Sequence, residues 1–296
     1  MLCLDFTYAD LGLPLVSAKT RKASVSGVQE KVQLKRRRGG YEVVERGGDA
    51  ILKPAPRNSA AELPMDIPIN EYVTMRIAAR HFGIVTAENE LVAFADGELA
   101  YLTRRFDRRE GLPIRQEDFC QLSGRTNESH GENYKYDASY EELAELMRRF
   151  CPSAAIANPR QFFIILFNYV FANGDAHLKN FSLYQSRQGD YVPTPAYDLL
   201  NTAVHFPNEP SATGLEFFAD GHYTARYEEL GFYSRTDFVE LGRAFGVGEA
   251  EVLEMTDAFA AKIRQVESEI AAAPLSGEAK KRYLDRFHDR LKAISM

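Results

Sequence analysis

The most apolar stretch of the 296-residue chain, Phe162–Ala172, runs straight into the polar segment Asn173-Gly174-Asp175. The run is interrupted at Asn168 and falls far short of the roughly 20 residues that span a bilayer. It is apolar nearly all round, so "PRQFFIILFNYVFA" (159–172) is expected to be a helix buried centrally in a folded domain. Its last turn then points into the loop of "FANGDAHLKNFSLY" (171–184), which carries Asn173, Asp175, His177, Lys179 and Asn180 between two segments that favour burial. Polar groups in such a place call for a chemical reason.

The texture of the chain changes along its length. The first hundred residues read mainly as strands: "EKVQLKRR", "GYEVVERG" and "AILKPAP" are short runs separated by Gly-Gly turns at 39–40 and 47–48. "PINEYVTMRIAARHFG" reads as a helix capped by Asn70, with Val73 and Ile77 on one face and Gly83 at its end. "ELVAFADGELAYLTRRF" reads as a hairpin about Asp96-Gly97. Beyond about residue 107 helices dominate, beginning with "SYEELAELMRRF" (139–150), which Ser139 is placed to cap. The expected fold class is therefore α+β and two-lobed. Residues 1–106 form a small strand-rich lobe and residues 107–296 a larger helical one.

Three oxygen-bearing side chains on two loops then suggest chemistry. Asp175 and Asn180 lie five residues apart, and Asp198 follows in "TPAYDLLN". Asp-x-x-x-x-Asn with a later carboxylate is the arrangement of a phosphoryl-transfer site. There one Asp serves the attacking hydroxyl, and the Asn and second Asp hold Mg²⁺ against nucleotide phosphates. Lys53 sits inside the apolar strand "AILKPAP", where an unpaired lysine is costly to bury. A role on the phosphates of ATP, with Glu71 as its partner, accounts for it; a snorkelling edge lysine is the plain alternative. "SVSGVQEKVQL" (24–34) enters a strand with backbone N–H groups at Gly27–Gln29 able to approach phosphates. "YLTRRFD" (101–107) is the expected hinge between the lobes, where backbone groups hold adenine. Asp107 either reaches ribose hydroxyls or pairs with a neighbouring arginine. His177 contacts phosphate, positions Asp175, or is structural; Lys179 neutralises phosphate or is solvated.

Composition narrows the alternatives. A net charge of −6 argues against broad nucleic-acid binding, and the basic "KRRRGG" reads as a solvated hairpin. Three scattered cysteines, Cys3, Cys120 and Cys151, give neither a disulfide framework nor a zinc site and fit a reduced cytoplasm. The N-terminus does not read as a signal peptide.

In order along the chain, "SVSGVQEK", "ILKP", "NEY", "RRFDR", "EDFCQL", "NGDAHLKNFSL" and "PAYDLL" resemble the HipA-type serine/threonine kinases of bacterial toxin–antitoxin modules. The resemblance covers about Ser24 to Leu200 and implies a protein-kinase-like fold using ATP and Mg²⁺. It implies Asp175 as catalytic base, Asn180 and Asp198 as Mg²⁺ ligands, and Lys53 on ATP. It further implies a phosphate loop at Ser26, Gly27, Val28, Gln29, Glu30 and Lys31. The adenine hinge falls at Arg104, Arg105 and Phe106, beside Asp107, and His177, Lys179 and Asn180 line the nucleotide site. Ser24 or Ser26 is the implied site of inactivating autophosphorylation. Implied partners are an aminoacyl-tRNA synthetase as substrate, a HipB-like DNA-binding antitoxin and a HipS-like small protein. The last follows because so little chain precedes the phosphate loop, as in the short HipT-like kinases. No membrane and no direct nucleic-acid contact are implied. Two features depart from the pattern: the short N-terminus, and Arg104, where many members have glutamate. A small-molecule phosphotransferase resembling aminoglycoside kinases shares a loop like "NGDAHLKN" and is the competing expectation.

Overall fold

The computed structural model describes residues 1–12, 29–57, 59–208 and 212–296. Strands β1 (Leu2–Cys3), β2 (Val32–Arg37), β3 (Gly40–Val43) and β4 (Ala50–Lys53) precede helix α1 (Ile67–Phe82). Strands β5 (Asn89–Ala93) and β6 (Leu99–Arg104) follow it, completing one sheet of order β1-β5-β6-β4-β2-β3. All pairings are antiparallel except β1 with β5. The β2–β3 hairpin turns at Gly39, whose φ of +95° is one that a side chain resists.

Strand periodicity decides what each face carries. Ala50 and Leu52 of β4 are buried in a cluster with Val32, Leu34, Val92, Phe94 and Leu102. Lys53 follows Leu52, so it emerges on the opposite face, in register with Tyr101 of β6 and beneath α1. That face joins the larger core through Ile69, Val73, Ile77, Leu91 and Tyr101.

Small strands β7 (Arg108–Arg109), β8 (Leu112–Pro113) and β9 (Gln116–Asp118) lead to helices α2 (Phe119–Ser123), α3 (Asn127–His130), α4 (Tyr140–Phe150) and α5 (Ala154–Val170). Next come β10 (Ser182–Gln185) and β11 (Tyr191–Pro193), which form a second sheet with β9. Helices α6 (Ala225–Leu230), α7 (Arg235–Ala244), α8 (Glu249–Ala261), α9 (Ile263–Ala272) and α10 (Gly277–Ala293) complete the described chain. The expected central helix is α5. It starts at Ala154, ahead of the expected Pro159, and buries Phe162, Ile165, Leu166, Phe167, Tyr169 and Val170. Phe167 stacks on Phe171 with centroids 4.2 Å apart, and Phe82 of α1 stacks on Phe259 of α8 at 4.6 Å. Ser139 caps α4, accepting from the Glu142 N–H at 3.0 Å. Among the described residues, no helix is long and apolar enough to cross a membrane.

Asn70 does not cap α1. The helix begins three residues earlier, with Asp66 at its N-cap and Pro68 in its first turn. The Asp66 carboxylate accepts from the Ser276 N–H and hydroxyl, both at 2.7 Å, and so joins the start of α1 to the start of α10. Asn70 is wholly buried and reaches across to the residues after Asp198. Its amide donates to the Asn201 carbonyl and accepts from the Asn201 N–H, each at 2.9 Å. It also meets His205 Nε2 at 2.9 Å. An amide nitrogen only donates, so Nε2 accepts; Nδ1 then carries the proton and donates to the Glu62 carbonyl at 3.0 Å. Thr74–Tyr283 (2.6 Å) and Arg76–Glu269 (2.7 Å) add further ties from α1 to the C-terminal helices.

Burial is the main cause that lowers His205 to about 4, below its ordinary 6.5. The unfolded chain therefore takes up a proton between pH 6.5 and about 4 that the folded protein refuses. Stability from this group is complete above that window and is lost as pH falls through it. His205→Gln should flatten the decline by up to about 1.4 kcal/mol per pH unit. Urea unfolding of both proteins at pH 7, 6 and 5 measures this; parallel declines refute it.

Candidate active site

The polar loop after α5 is built by its own side chains. Asn168, the interruption in the apolar run, donates to the Ile164 carbonyl at 2.9 Å and accepts from Asn173 Nδ2 at 2.7 Å. Asn173 also donates to the Asp198 carbonyl at 3.2 Å, and its side-chain Oδ1 accepts from the Asp175 N–H at 3.3 Å. Thr202 Oγ1 accepts from Gly174 N–H at 2.9 Å and donates to the Ala172 carbonyl at 3.1 Å. Further on, Asn180 Oδ1 accepts from the His177 N–H at 3.0 Å, and its Nδ2 donates to Asp198 Oδ2 at 3.4 Å. The loops bearing Asp175 and Asp198 are thus knitted together.

Lys53 enters from the sheet above. Its Nζ donates to Glu71 Oε1 at 2.5 Å and also to Asp198 Oδ1. Lys31 Nζ lies 3.7 Å from Asp198 Oδ2. Burial pushes the Lys53 ammonium toward its neutral form, but the charges of Asp198 and Glu71 overturn this and hold it protonated. Burial likewise opposes ionisation of Asp198, and Lys53 and Lys31 outweigh it, so the carboxyl lies well below the usual range. Glu71 differs: burial raises it to about 7 even though Lys53 pulls it down. Two carboxylates compete for one lysine, and the more exposed one has a second cation in reach.

One cleft pocket is lined by Gln29, Lys31, Lys53, Glu71, Asp175, Asn180, Asp198 and Leu200. Other expected residues take different positions. Glu30 accepts from the Tyr8 hydroxyl at 2.5 Å, and Arg104 pairs with Glu88 at 2.9 Å. Phe106 packs on Tyr197, centroids 5.5 Å apart. Of the two readings of Asp107, its contacts are those of the salt bridge: Arg105 reaches it at 2.6 Å and Arg108 at 2.8 Å. His177 is buried, and burial lowers it to about 3, so it is neutral at ordinary pH. Lys179 is exposed, 3.5 Å from the Tyr134 hydroxyl. Ser24, Ser26, Gly27 and Val28 lie outside the described residues.

Several contributors escaped sequence reasoning. Tyr136 donates its hydroxyl proton to Asp175 Oδ1. Tyr140 donates to the Ala176 carbonyl at 3.0 Å. Gly214 lies so close to Ala176 that an added Cβ would stand 2.3 Å from its carbonyl carbon.

A buried Lys–Glu pair in a small lobe above an Asp/Asn loop, with a second Asp reaching up to the lysine, defines a two-lobed kinase-like fold. Residues 23–267 match the HipA-like C-terminal domain family, and the chain belongs to that family. It is 30% identical over 257 residues to a "Putative kinase" of Haemophilus influenzae, covering 80% of this chain and 71% of that protein. It is 31% identical over 153 residues to the "Serine/threonine-protein kinase toxin HipA" of Shewanella oneidensis, covering 46% of this chain and 34% of the toxin. The matched region thus spans about a third of that toxin's length. Among solved structures, a Shewanella oneidensis complex of HipA, HipB and operator DNA contains a chain of the same fold. Its TM-score is 0.67 at 23% identity, over 96% of this chain and 68% of that one.

The Gly214 contact gives a direct expectation. Gly214→Ala should lower the unfolding free energy by about 1–3 kcal/mol, because backbone on both sides of the clash must shift. Gly277→Ala, with nothing within 4 Å of the new Cβ, should be neutral or slightly stabilising. Urea denaturation of the two variants distinguishes them; equal effects would refute the packing account.

Proposed function

We propose that the protein is a serine/threonine kinase that transfers the γ-phosphate of ATP to a protein hydroxyl, and that residues 1–106 and 107–296 act as its two lobes. The observation that carries this reading is Lys53 placed between Glu71 and Asp198, with Asn180 and Asp175 on the same cleft. Asp175 accepts the proton of the attacking hydroxyl. Lys53 gives up Asp198 to the nucleotide phosphates while Glu71 keeps its ammonium in place. Asp198 supplies carboxylate oxygens and Asn180, 18 positions earlier and touching it through Nδ2, an amide oxygen that has a second lone pair beside the one met by the His177 N–H. That donor set suits Mg²⁺, which takes one or two protein carboxylates and completes its shell with phosphates and water. Bound there, the ion neutralises charge on the transferring phosphoryl group. Gln29 and Lys31, on the same cleft, continue the phosphate loop from Ser26, and Arg104–Asp107 serve as hinge.

Within this reading the kinase is the toxin of a toxin–antitoxin pair, with an aminoacyl-tRNA synthetase as its acceptor. Support comes from membership of the HipA-like family and from the Shewanella toxin among its relatives. A HipB-like antitoxin is the proposed partner, because the HipA of similar fold was solved with HipB and DNA; a HipS-like small protein is the other. Self-phosphorylation at Ser24 or Ser26 inactivates the enzyme. A phosphoserine adds about −2 charge next to the residues that must receive ATP phosphates.

Asp175→Ala should reduce phosphoryl transfer from radiolabelled Mg·ATP by at least ~100-fold, with binding of a fluorescent ATP analogue retained. Undiminished transfer sinks the assignment. Ser24→Ala combined with Ser26→Ala should abolish self-labelling, followed by phosphopeptide mapping; label recovered unchanged elsewhere rejects these acceptors.

A further inference from the structure

Helix α10 carries Arg282, Arg286 and Arg290 at four-residue spacing, which sets them along one face. The first is fully engaged: it meets Glu278 at 2.8 Å, Glu62 at 2.5 Å and the Val204 carbonyl at 3.2 Å. The other two are not. Arg286 donates to the Pro207 carbonyl at 3.2 Å. Arg290 donates to the Tyr169 hydroxyl at 3.3 Å and lies over that ring, 4.7 Å from its centroid. Among the described residues neither forms an ion pair, and Asp285, a neighbouring acid on α10, is taken by Lys281 at 2.8 Å. Both arginines line a pocket of about 70 Å³, together with Ala172, Thr202, Phe206 and Pro207. We propose that this pocket binds a phosphate monoester, gripped by Arg286 and Arg290. Its lining shares no residue with the nucleotide cleft, so the site stands whether or not the kinase reading does.

Charge and shape narrow the ligand class. No acidic side chain lines the pocket. A guanidinium offers five N–H donors in a planar fork, and the contacts above use one nitrogen of each arginine. Two such forks meet an anion with two positive charges. A carboxylate balances only one of them, whereas a phosphate monoester brings about −2 charge and three strong acceptor oxygens. The space suffices as well: one water needs ~10–15 Å³ of it, so a group of several atoms fits. Arg286 is exposed and Arg290 half-buried, which gives an anion both an approach from solvent and a partly enclosed seat. Arginines that served only to brace the loop beneath α10 would resemble Arg282, whose charge is balanced within the chain. Thr202, in the same lining, holds the Gly174 N–H and the Ala172 carbonyl, so the anion sits against a brace of the loop that carries Asp175.

Isothermal titration calorimetry of the full chain, at fixed ionic strength in chloride, measures affinity for inorganic phosphate, O-phosphoserine and acetate. Saturable phosphate binding is expected, with acetate weaker. Arg286→Gln and Arg290→Lys should each weaken it by roughly tenfold, the scale of a hydrogen bond to a charged group. Arg290→Lys keeps the charge and loses the fork. Lys31→Gln, in the nucleotide cleft, should leave this affinity unchanged. Urea unfolding shows whether each variant is folded; because Arg286 is exposed, its variant keeps the test valid if Arg290→Lys unfolds. Tighter binding of phosphoserine than of inorganic phosphate identifies a phosphorylated side chain as the source, and the reverse a free anion; either supports the site. Phosphate binding lost in Lys31→Gln and kept in both arginine variants assigns the anion to the cleft and overturns the proposal. Equal affinity for acetate, or no saturable phosphate binding, overturns it too.

Discussion

Lys53 is shared between two carboxylates, and most of the cleft's arrangement depends on this sharing. A buried ammonium is tolerated only with excellent partners. Glu71 alone would neutralise it, making a closed internal pair of no chemical use. Asp198 changes the balance, because the cluster of Lys53, Glu71 and Asp198 then carries an excess of negative charge. Part of that excess is met by Lys31 and part by the raised pKa of Glu71. Under the proposed function, such a cluster would take a cation at Asp198 and turn the lysine toward a phosphate. Lys53 and Glu71 are the more deeply enclosed pair, with side chains 5% and 1% exposed, whereas Asp198 is 19% exposed.

Glu71 can play this part only if its helix is held in place. Helix α1 lies on the sheet through Ile69, Val73 and Ile77, but its polar contacts run the other way. Asp66 meets Ser276, Asn70 meets Asn201 and His205, Thr74 meets Tyr283, and Arg76 meets Glu269. One helix therefore belongs to the cores above and below the cleft. Rotating it outward, a common way to disable a kinase-like lysine–glutamate pair, would take the Asn201 backbone partners from the Asn70 amide and leave His205 Nε2 without its donor, both at wholly buried positions. That cost is on the order of 1–3 kcal/mol for each orphaned group.

Local pattern made much of this legible in the sequence. The apolar run marked α5, Ser139 marked the start of α4, and Lys53 stood out as a lysine inside an apolar strand. Asp175 and Asn180 stood out as candidates because polar residues between apolar segments demand a reason, and Asp198 by following them on a later loop; the three line one pocket. Asn70 misled because asparagine is a good N-cap; its use as a bridge to Asn201, 131 residues on, leaves no local trace. Tyr136 and Gly214 were invisible for the same reason. Each acts through one long-range contact, and a lone tyrosine or glycine in a polar segment has many ordinary explanations. Asn168 did leave a signal: an amide inside an apolar run is out of place unless it serves the loop beyond.

The two loops also share a backbone feature that bears on why they are joined. Ala172 and Asp198 both adopt left-handed φ values, +51° and +56°, although neither is glycine. Such conformations carry a cost and persist only where surrounding contacts determine them. At Asp198 glycine would relieve the strain but remove the carboxylate that meets Lys53, so the strain is a consequence of needing charge at that turn. Each strained residue is held by the loop that carries the other. Thr202 bonds the Ala172 carbonyl through both its N–H and its hydroxyl, and Asn173 bonds the Asp198 carbonyl. Each loop is thus the brace for the other's strained residue. Asp175 and Asp198 are consequently held in one hydrogen-bonded unit.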